Sequence, residues 1–333
     1  MRVNGAVRGT MLSPDPGTLA ANVRAAAQRL RDCVLATPTV PAPWLSQELG
    51  CEVRFKLENV QLSGSFKLRG ASHALLQLPP ALRAAGVVAA SSGNHGLGLA
   101  MAAARLGIAA TVYVPTTTPV GKREAIARHG AAVEVFGDDC VLTEARAREV
   151  AAATGRHYVS PYNDADVIAG QGTVMVELLQ QWPEVDTVYV ALGGGGLIAG
   201  MAAFGKAARR DLQFVACSPS ASPAMAECVR AGRIVDVACH DTWSDSTAGG
   251  VEPGAITFPL CRDLVDRFVD VEEAAIATAM RDCLAHQHLL VEGAAGVAVA
   301  ALRADRQRGK RAAVIVCGGN LPYSSLQRLL ATG

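Results

Sequence analysis

Short apolar runs alternate along this chain with glycine or polar turns and with stretches of helical period. Val53, Phe55 and Leu57 interleave with Arg54, Lys56 and Glu58, which predicts a period-two strand with one buried face. Further apolar strands are predicted at 87–91, 111–114, 133–136, 188–192, 214–217 and 313–317. Helical spacing between them predicts helices over 96–106, 120–129, 142–153 and 171–181. Near the start, Thr18 is placed to cap a helix whose apolar positions are Leu19, Val23, Ala26, Leu30 and Val34. Pro38, Pro41 and Pro43 then force an extended segment, and a short helix over 44–49 is stopped by Gly50. Strands that are apolar throughout, alternating with helices, imply parallel sheets covered on both faces. No solenoid-type repeat and no low-complexity tract interrupts the pattern.

Four turns stand out because each follows a strand or opens a helix: 63–70, 91–96, 193–197 and 317–320. In open α/β sheets ligands gather where the carboxyl ends of strands open into such turns, so the four together predict one cleft between two lobes.

Composition narrows the function. The chain has 333 residues, half of them hydrophobic, with 33 glycines and few aromatics, which suits helices packed closely on a sheet. Net charge is +1 and the basic residues are dispersed, so there is no electrostatic footprint for nucleic acid or an anionic membrane surface. Nine cysteines lie in apolar periodic stretches without a C-x-x-C pair, and are expected as buried free thiols in a reducing cytoplasm. The N-terminal segment lacks an apolar core of signal-peptide length, and residues 1 to about 16 are expected to form a loose leader. No run approaches membrane-spanning length.

The candidate chemistry sits on the turns. Lys67, in Ser63-Gly64-Ser65-Phe66-Lys67-Leu68-Arg69-Gly70, stands at the predicted start of a helix, where the macrodipole disfavours a cation. The objection vanishes for a lysine bonded to a carbonyl cofactor, since the amine then gives up its ammonium charge; a solvated surface charge is the bland alternative. Gly193-Gly194-Gly195-Gly196-Leu197 joins a strand to a helix, and successive glycines there let backbone N–H groups converge on a phosphate. There is no G-K-[ST] of a nucleotide loop. Gly194-x-Gly196-x-x-Ala199 fits the looser dinucleotide pattern, so a nicotinamide oxidoreductase has to be weighed. That pattern needs an acid at the end of the next strand, and Ala216-Cys217-Ser218 supplies none. Ser91-Ser92-Gly93-Asn94-His95-Gly96 exposes backbone amides at a helix start, a natural carboxylate site, although Ser and Asn are also ordinary caps. Cys317-Gly318-Gly319-Asn320 ends an apolar strand; the thiol by default is a small buried hydrophobe, and the glycines let a flat ring lie against backbone.

Taken in order, S-x-S-F-K-x-R-G-A, S-S-G-N-H-G, G-Q-G-T, G-G-G-G-L and C-G-G-N resemble the fold-type II pyridoxal-phosphate enzymes, in the branch of serine/threonine dehydratases and serine racemase. The similarity spans nearly the whole chain, from Thr37-Pro38-Thr39 to Gly318-Gly319-Asn320. It implies a tryptophan synthase β-like α/β fold of two open, twisted, mostly parallel sheets, with pyridoxal 5′-phosphate in the cleft. The large lobe would combine 1–86 with 156–333 and the small lobe would span 87–155. By the same resemblance Lys67 would carry the cofactor as an internal Schiff base and act as proton-transfer base, and Phe66 would pack beside the ring. Asn94 would bond the ring's phenolic oxygen, Gly193 to Leu197 would bind the phosphate, and Glu292 and Gly318 would lie near the ring. Ser91, Ser92, Gly93, Asn94 and His95 would take the substrate carboxylate, with Ser92 on the face opposite Lys67. Cys317 would meet the pyridine nitrogen; a thiol, neutral at pH 7, leaves that nitrogen largely unprotonated, which favours elimination over transamination.

The implied reaction is β-elimination of L-threonine or L-serine to a 2-oxo acid and ammonia, with a serine racemase as the alternative. Relatives that pair imply a homodimer, whose partners would otherwise be small-molecule amino acids only. Two departures qualify the resemblance. Residues 217–224 read Cys-Ser-Pro-Ser-Ala-Ser-Pro-Ala where many relatives place carboxylates for a divalent cation, so no metal is expected there. Ser246 stands in Ser244-Asp245-Ser246 where common dehydratases carry glycine, and the run to Phe258 is similar to dehydratases of hydroxyectoine breakdown, which points to a hydroxylated diaminobutyrate as another substrate. The chain ends soon after the matched core, so a regulatory amino-acid-binding domain is not expected.

Overall fold

The alternating pattern folds into two open sheets. The computed structural model describes residues 14–331, and all that follows concerns these. Their strands are β1 (Thr39–Pro41), β2 (Glu52–Leu57), β3 (Val87–Ala90), β4 (Ala110–Val114), β5 (Ala132–Val135), β6 (His157–Tyr158), β7 (Thr187–Ala191), β8 (Gln213–Pro219), β9 (Arg267–Val271) and β10 (Arg311–Val316). The larger sheet runs β1-β2-β10-β7-β8-β9 and the smaller β5-β4-β3-β6. Only β1 and β2 pair antiparallel; every other pairing is parallel. The smaller sheet reaches past residue 155, because β6 pairs with β3.

Burial follows from the strand sequences. Val188, Tyr189 and Val190 of β7 and the run Ala312–Val316 of β10 are wholly buried, as expected for central parallel strands with helices on both faces. The helix Gly293–Ala304 is buried from Gly293 to Leu302, its glycines and alanines letting it lie close to the larger sheet. A second core forms on the smaller sheet from Val87, Ala89, Val112, Val114 and Leu99, and it takes in Leu68, Ala71 and Leu75 of the helix Lys67–Gln77.

Several expectations are corrected. The first helix is Pro16–Arg29, capped by the Asp15 carboxylate, which accepts from the backbone of Gly17 and Thr18; a carboxylate followed by proline outcompetes Thr18 as a start, and Val34 lies beyond the helix end. Of the expected leader, residues 1–13 lie outside the described residues. The second face of β2 is solvated only at its start: Lys56, and Glu58 just after it, are fully buried, each by ion pairing rather than by apolar packing. Cys140 is exposed at the start of the helix Cys140–Thr154, while Cys217, Cys228, Cys261, Cys283 and Cys317 are buried as expected.

Two helices meet through glycine. A Cβ on Gly200, in the helix Gly196–Ala208, would collide with the Ile168 carbonyl oxygen and lie 2.9 Å from the Gly172 nitrogen in the helix Ala165–Gln181. Both neighbours are backbone and cannot swing away. Gly200→Ala should therefore destabilise the fold by about 1–3 kcal/mol or more, measured by denaturant unfolding; an unchanged midpoint would show that the helices separate without cost.

Candidate active site

Three of the four turns leave adjacent parallel strands. The Lys67 turn follows β2, the Cys317 turn follows β10 and the four-glycine turn follows β7, so all three emerge at the same end of the larger sheet. A bridge between Ser65 and Gly318 and a backbone bond from Phe66 N–H to the Cys317 carbonyl (3.0 Å) tie the first two turns together. The fourth turn, Ser91 to Gly93, leaves β3 of the smaller sheet and opens the helix Asn94–Leu106. Between them lies a cavity of about 610 Å³, lined by Phe66, Lys67, Ser91–His95, Gly193–Leu197, Glu292 and Cys317 among others. Of the expected site residues, only Gly318 does not line it; a Cβ there would run into the Glu292 carboxylate at 2.7 Å.

Lys67 is the first residue of its helix, as expected. Its Nζ donates to the Pro161 carbonyl at 2.9 Å and lies 5.2 Å from the centre of the Phe66 ring. Burial lowers its pKa to about 8, partly opposed by the nearby Cys317 and Glu292. An amine so placed is deprotonated far more readily than a surface lysine, which is the condition for attack on a carbonyl. The Cys317 thiol is pushed up by burial and by the Glu292 charge, and is neutral.

The glycine turn is shaped by its neighbours. Gly195 sits at φ +85°, a conformation that side chains avoid, and caps the helix Gly196–Ala208. A Cβ on Gly194 would enter the Tyr162 ring, and one on Gly193 would meet the Thr247 backbone at 3.0 Å. The turn thus keeps bare backbone N–H groups at a helix N-terminus, as an anion cradle requires. Tyr162 was invisible in the sequence, being an isolated aromatic in a loop. Its hydroxyl oxygen accepts from the Glu252 N–H at 3.0 Å.

A polar cluster centred on the buried pair Asn94 and Glu292 crosses from one sheet to the other. The Asn94 side-chain N–H group donates to both Glu292 oxygens at 2.9 Å, and Ser246 donates to Glu292 at 3.3 Å. Asn320 donates from its side chain to the Asn94 oxygen (2.7 Å) and the Ser63 carbonyl (2.8 Å). Burial raises the Glu292 pKa, against the bonds from Asn94 and Ser246. Asn94 and Glu292 are therefore partners of each other, a pairing that residues 198 apart in sequence gave no means to foresee.

The His95 ring is tied to the backbone of a neighbouring segment. Its Nε2–H donates to the Val159 carbonyl at 3.0 Å, which leaves Nδ1 as a lone pair, buried and without a partner. Burial, with Lys67 nearby, lowers its pKa to about 3, so the ring is neutral and has no free N–H to offer a carboxylate. Only its backbone, in the first turn of the helix, is left for that task. Among the described residues no group of three or more His, Cys, Asp or Glu is placed to hold a metal ion.

A half-buried, readily deprotonated amine at one side of a cavity and a run of bare amides at another suit a ligand that has both a carbonyl and a phosphate. Fold and site thus define a two-sheet α/β enzyme built around such a cofactor, and no acid at the end of β8 supports a dinucleotide instead. Comparison with known proteins agrees. Residues 30–318 match the family described as "Pyridoxal-phosphate dependent enzyme", and the chain belongs to that family. It is 37% identical over 314 residues to an L-threonine ammonia-lyase of Geobacter sulfurreducens, covering 93% of this chain and 78% of that one. It is 33% identical over 312 residues to a serine racemase of Arabidopsis thaliana, covering 92% and 94%. The solved structure of maize serine racemase superposes with a TM-score of 0.89 at 32% identity, covering 94% of this chain and 97% of the other.

Burying an amine leaves a mark on stability. Below about pH 8 Lys67 is charged in both folded and unfolded chains, and the folded chain bears the full desolvation cost; above that pH the folded amine sheds its proton first and the cost fades. In the cofactor-free protein Lys67→Met is expected to raise Tm by about 2–4 °C near neutral pH, with the gain shrinking as pH climbs past 8. Melting curves across pH check this; a Tm unchanged or lowered at neutral pH would contradict it.

Proposed function

We propose that this chain is a pyridoxal-phosphate-dependent lyase that removes the β-hydroxyl of L-threonine or L-serine, releasing a 2-oxo acid and ammonia. The observation that carries the reading is the shared cavity of the Lys67 amine, the Gly193–Leu197 turn and the neutral Cys317 thiol. The 37% identity to an L-threonine ammonia-lyase supports it.

The backbone N–H groups of Gly193 to Leu197 would hold the phosphate, Lys67 would hold the carbonyl carbon, and Phe66 would lie beside the ring with Glu292 and Gly318 nearby. Asn94 would turn part of its amide from Glu292 to the ring oxygen. When bound, pyridoxal phosphate supplies the electron sink that makes loss of an α-proton feasible. Lys67 Nζ would take that proton. Cys317, being neutral, would leave the pyridine nitrogen without an anionic partner and so limit the sink, favouring prompt departure of the β-hydroxyl. The substrate carboxylate would sit on the amides of Ser91, Ser92, Gly93, Asn94 and His95, which fixes the α-carbon over Lys67.

Ser92 supports a second reading. It lines the same cavity as Lys67, and a hydroxyl able to return a proton from the other face would turn part of the flux into racemisation, as in the serine racemases to which the chain is 33% identical. The lobes are proposed to be 1–86 with 156–333, and 87–155, with β6 carried along by the smaller sheet. A homodimer in the cytoplasm is proposed as the assembly. Leu35, Val60, Leu62 and Leu290 form an exposed apolar surface that a second copy would cover, their segments being joined by bonds of Gln61 to Leu35 and of Asn59 to Leu290.

Lys67→Ala should abolish the visible absorbance of the bound cofactor and turnover together, and turnover that survived would refute the reading. In the parent enzyme, keto-acid release assayed over serine, threonine, phenylserine and hydroxylated diaminobutyrates gives the substrate. Keto acid from serine or threonine is expected, with D-serine the lesser product; D-serine in excess of pyruvate would favour the racemase.

A further inference from the structure

The Lys67 motif contains a second basic residue that the site does not use. Arg69 is fully buried and does not reach the cavity. Its Nε and Nη2 donate to the two oxygens of Glu58 at 2.7 and 2.8 Å, and its Nη1 and Nη2 donate to those of Glu177 at 2.6 and 3.0 Å. Further bonds run from Arg69 to Thr173 Oγ1 (3.3 Å) and to the Leu35 carbonyl (3.2 Å). Lys56 closes the group, donating to Glu177 at 2.6 Å and to the Thr37 carbonyl at 2.6 Å, while the Thr37 hydroxyl donates to Glu58. Two acids and two bases balance in charge. Burial raises the Glu58 carboxyl, yet the charges and bonds of Arg69 and Lys56 leave it below the usual carboxylate range, so Glu58 is ionised.

Stability alone does not account for such a cluster. Buried ion pairs are often matched or bettered by apolar residues of similar volume, whereas a bidentate guanidinium fork fixes geometry closely. What is fixed here is the first turn of the helix Lys67–Gln77. At 100° per residue Arg69 leaves the helix about 200° around from Lys67, so one side chain points under the helix and the other into the cavity. The same helix is shared between the sheets. Leu68, Ala71 and Leu75 belong to the core of the smaller sheet, while Arg69 is held by Glu58 beyond β2 and by Glu177 of the helix Ala165–Gln181. The glycine turn and Cys317 follow β7 and β10, which share a sheet with β2.

We propose that the Lys56–Glu58–Arg69–Glu177 cluster is a positioning device for Lys67, and that Arg69 is the positioning residue: it registers the lysine's helix to the larger sheet and so sets the distance from the amine to the phosphate cradle. The inference rests on the assignment of Lys67 as the cofactor lysine.

The test uses the double variant Glu58→Gln/Arg69→Met, which removes one charge of each sign and leaves Lys56 with Glu177, beside Arg69→Lys, which keeps the charge and loses the fork. Three readouts are taken: kcat and KM, the cofactor's absorbance, and in cofactor-free protein the pH at which an amine-reactive reagent half-labels Lys67. The double variant is expected to lose roughly 10-fold or more in kcat with KM within about 3-fold. Its half-labelling pH for Lys67 should move up from about 8 towards the ordinary lysine range, and Arg69→Lys should fall between it and the parent. A folded double variant with kcat and labelling unmoved would overturn the inference, leaving the cluster merely structural. Should the double variant fail to fold, Arg69→Lys decides by the same criteria. A parent protein that takes up no cofactor overturns the Lys67 assignment and this inference together, whereas a loaded parent with unmoved variants overturns the inference alone.

Discussion

An amine has to be kept where burial costs its charge more than its neighbours return, and the molecule is arranged around that constraint. Lys67 opens a helix, where the field opposes a cation, and its tip lies in a cleft that strips it of water. Among the described residues its hydrogen-bond partner is a carbonyl oxygen, that of Pro161, and the acid whose charge acts on it, Glu292, is occupied by Asn94 and Ser246. The arrangement costs stability in the empty protein and yields reactivity. It works only because strand ends deliver the other partners to the same place: β2, β10 and β7 lie side by side and parallel, so the lysine, the thiol and the glycine turn reach one rim.

Closure of the cleft from the opposite side depends on polar contacts of unequal weight. Asn94 and Glu292 are buried and link the two sheets, so breaking their bonds would leave unsatisfied groups, while Asn320 joins them from the exposed side. Around the mouth, Lys122 pairs with Asp245 at 3.2 Å and Arg148 with Glu252 at 2.6 Å, linking two helices near the smaller sheet to the segment 244–252. Those pairs are partly exposed and contribute little each. The buried Asn94–Glu292 pair carries more weight than the rim, and the exposed Ser246, the residue that departs from the common dehydratase pattern, reaches it from the surface. Its hydroxyl reaches Glu292, something a glycine there would not do.

Much of this was legible in the chain because the relevant signals are local. A lysine after a small-residue turn, four glycines between strand and helix, and apolar strands at regular spacing are each written in a few consecutive residues, and both sheets and the cleft followed from them. What escaped depends on partners far apart. The alternation of β2 marked Lys56 and Glu58 as solvent-facing, since nothing in their neighbourhood announces Arg69 and Glu177 as counterions. The Val159 carbonyl that fixes the His95 tautomer is likewise distant, 64 residues along the chain. The edge strands β1, β6 and β9 span two to five residues and lack a clear period, and the helices Glu273–Gln287 and Gly293–Ala304 carry alanine-rich faces whose burial only the sheet reveals.

The central claim is that one particular amine forms the covalent link to pyridoxal phosphate. Hydride reduction of the cofactor-loaded enzyme followed by peptide mapping tests it most directly. A single phosphopyridoxyl group on Lys67 is the predicted result. The same group on Lys56, Lys122, Lys206 or Lys310, or none anywhere, would contradict it.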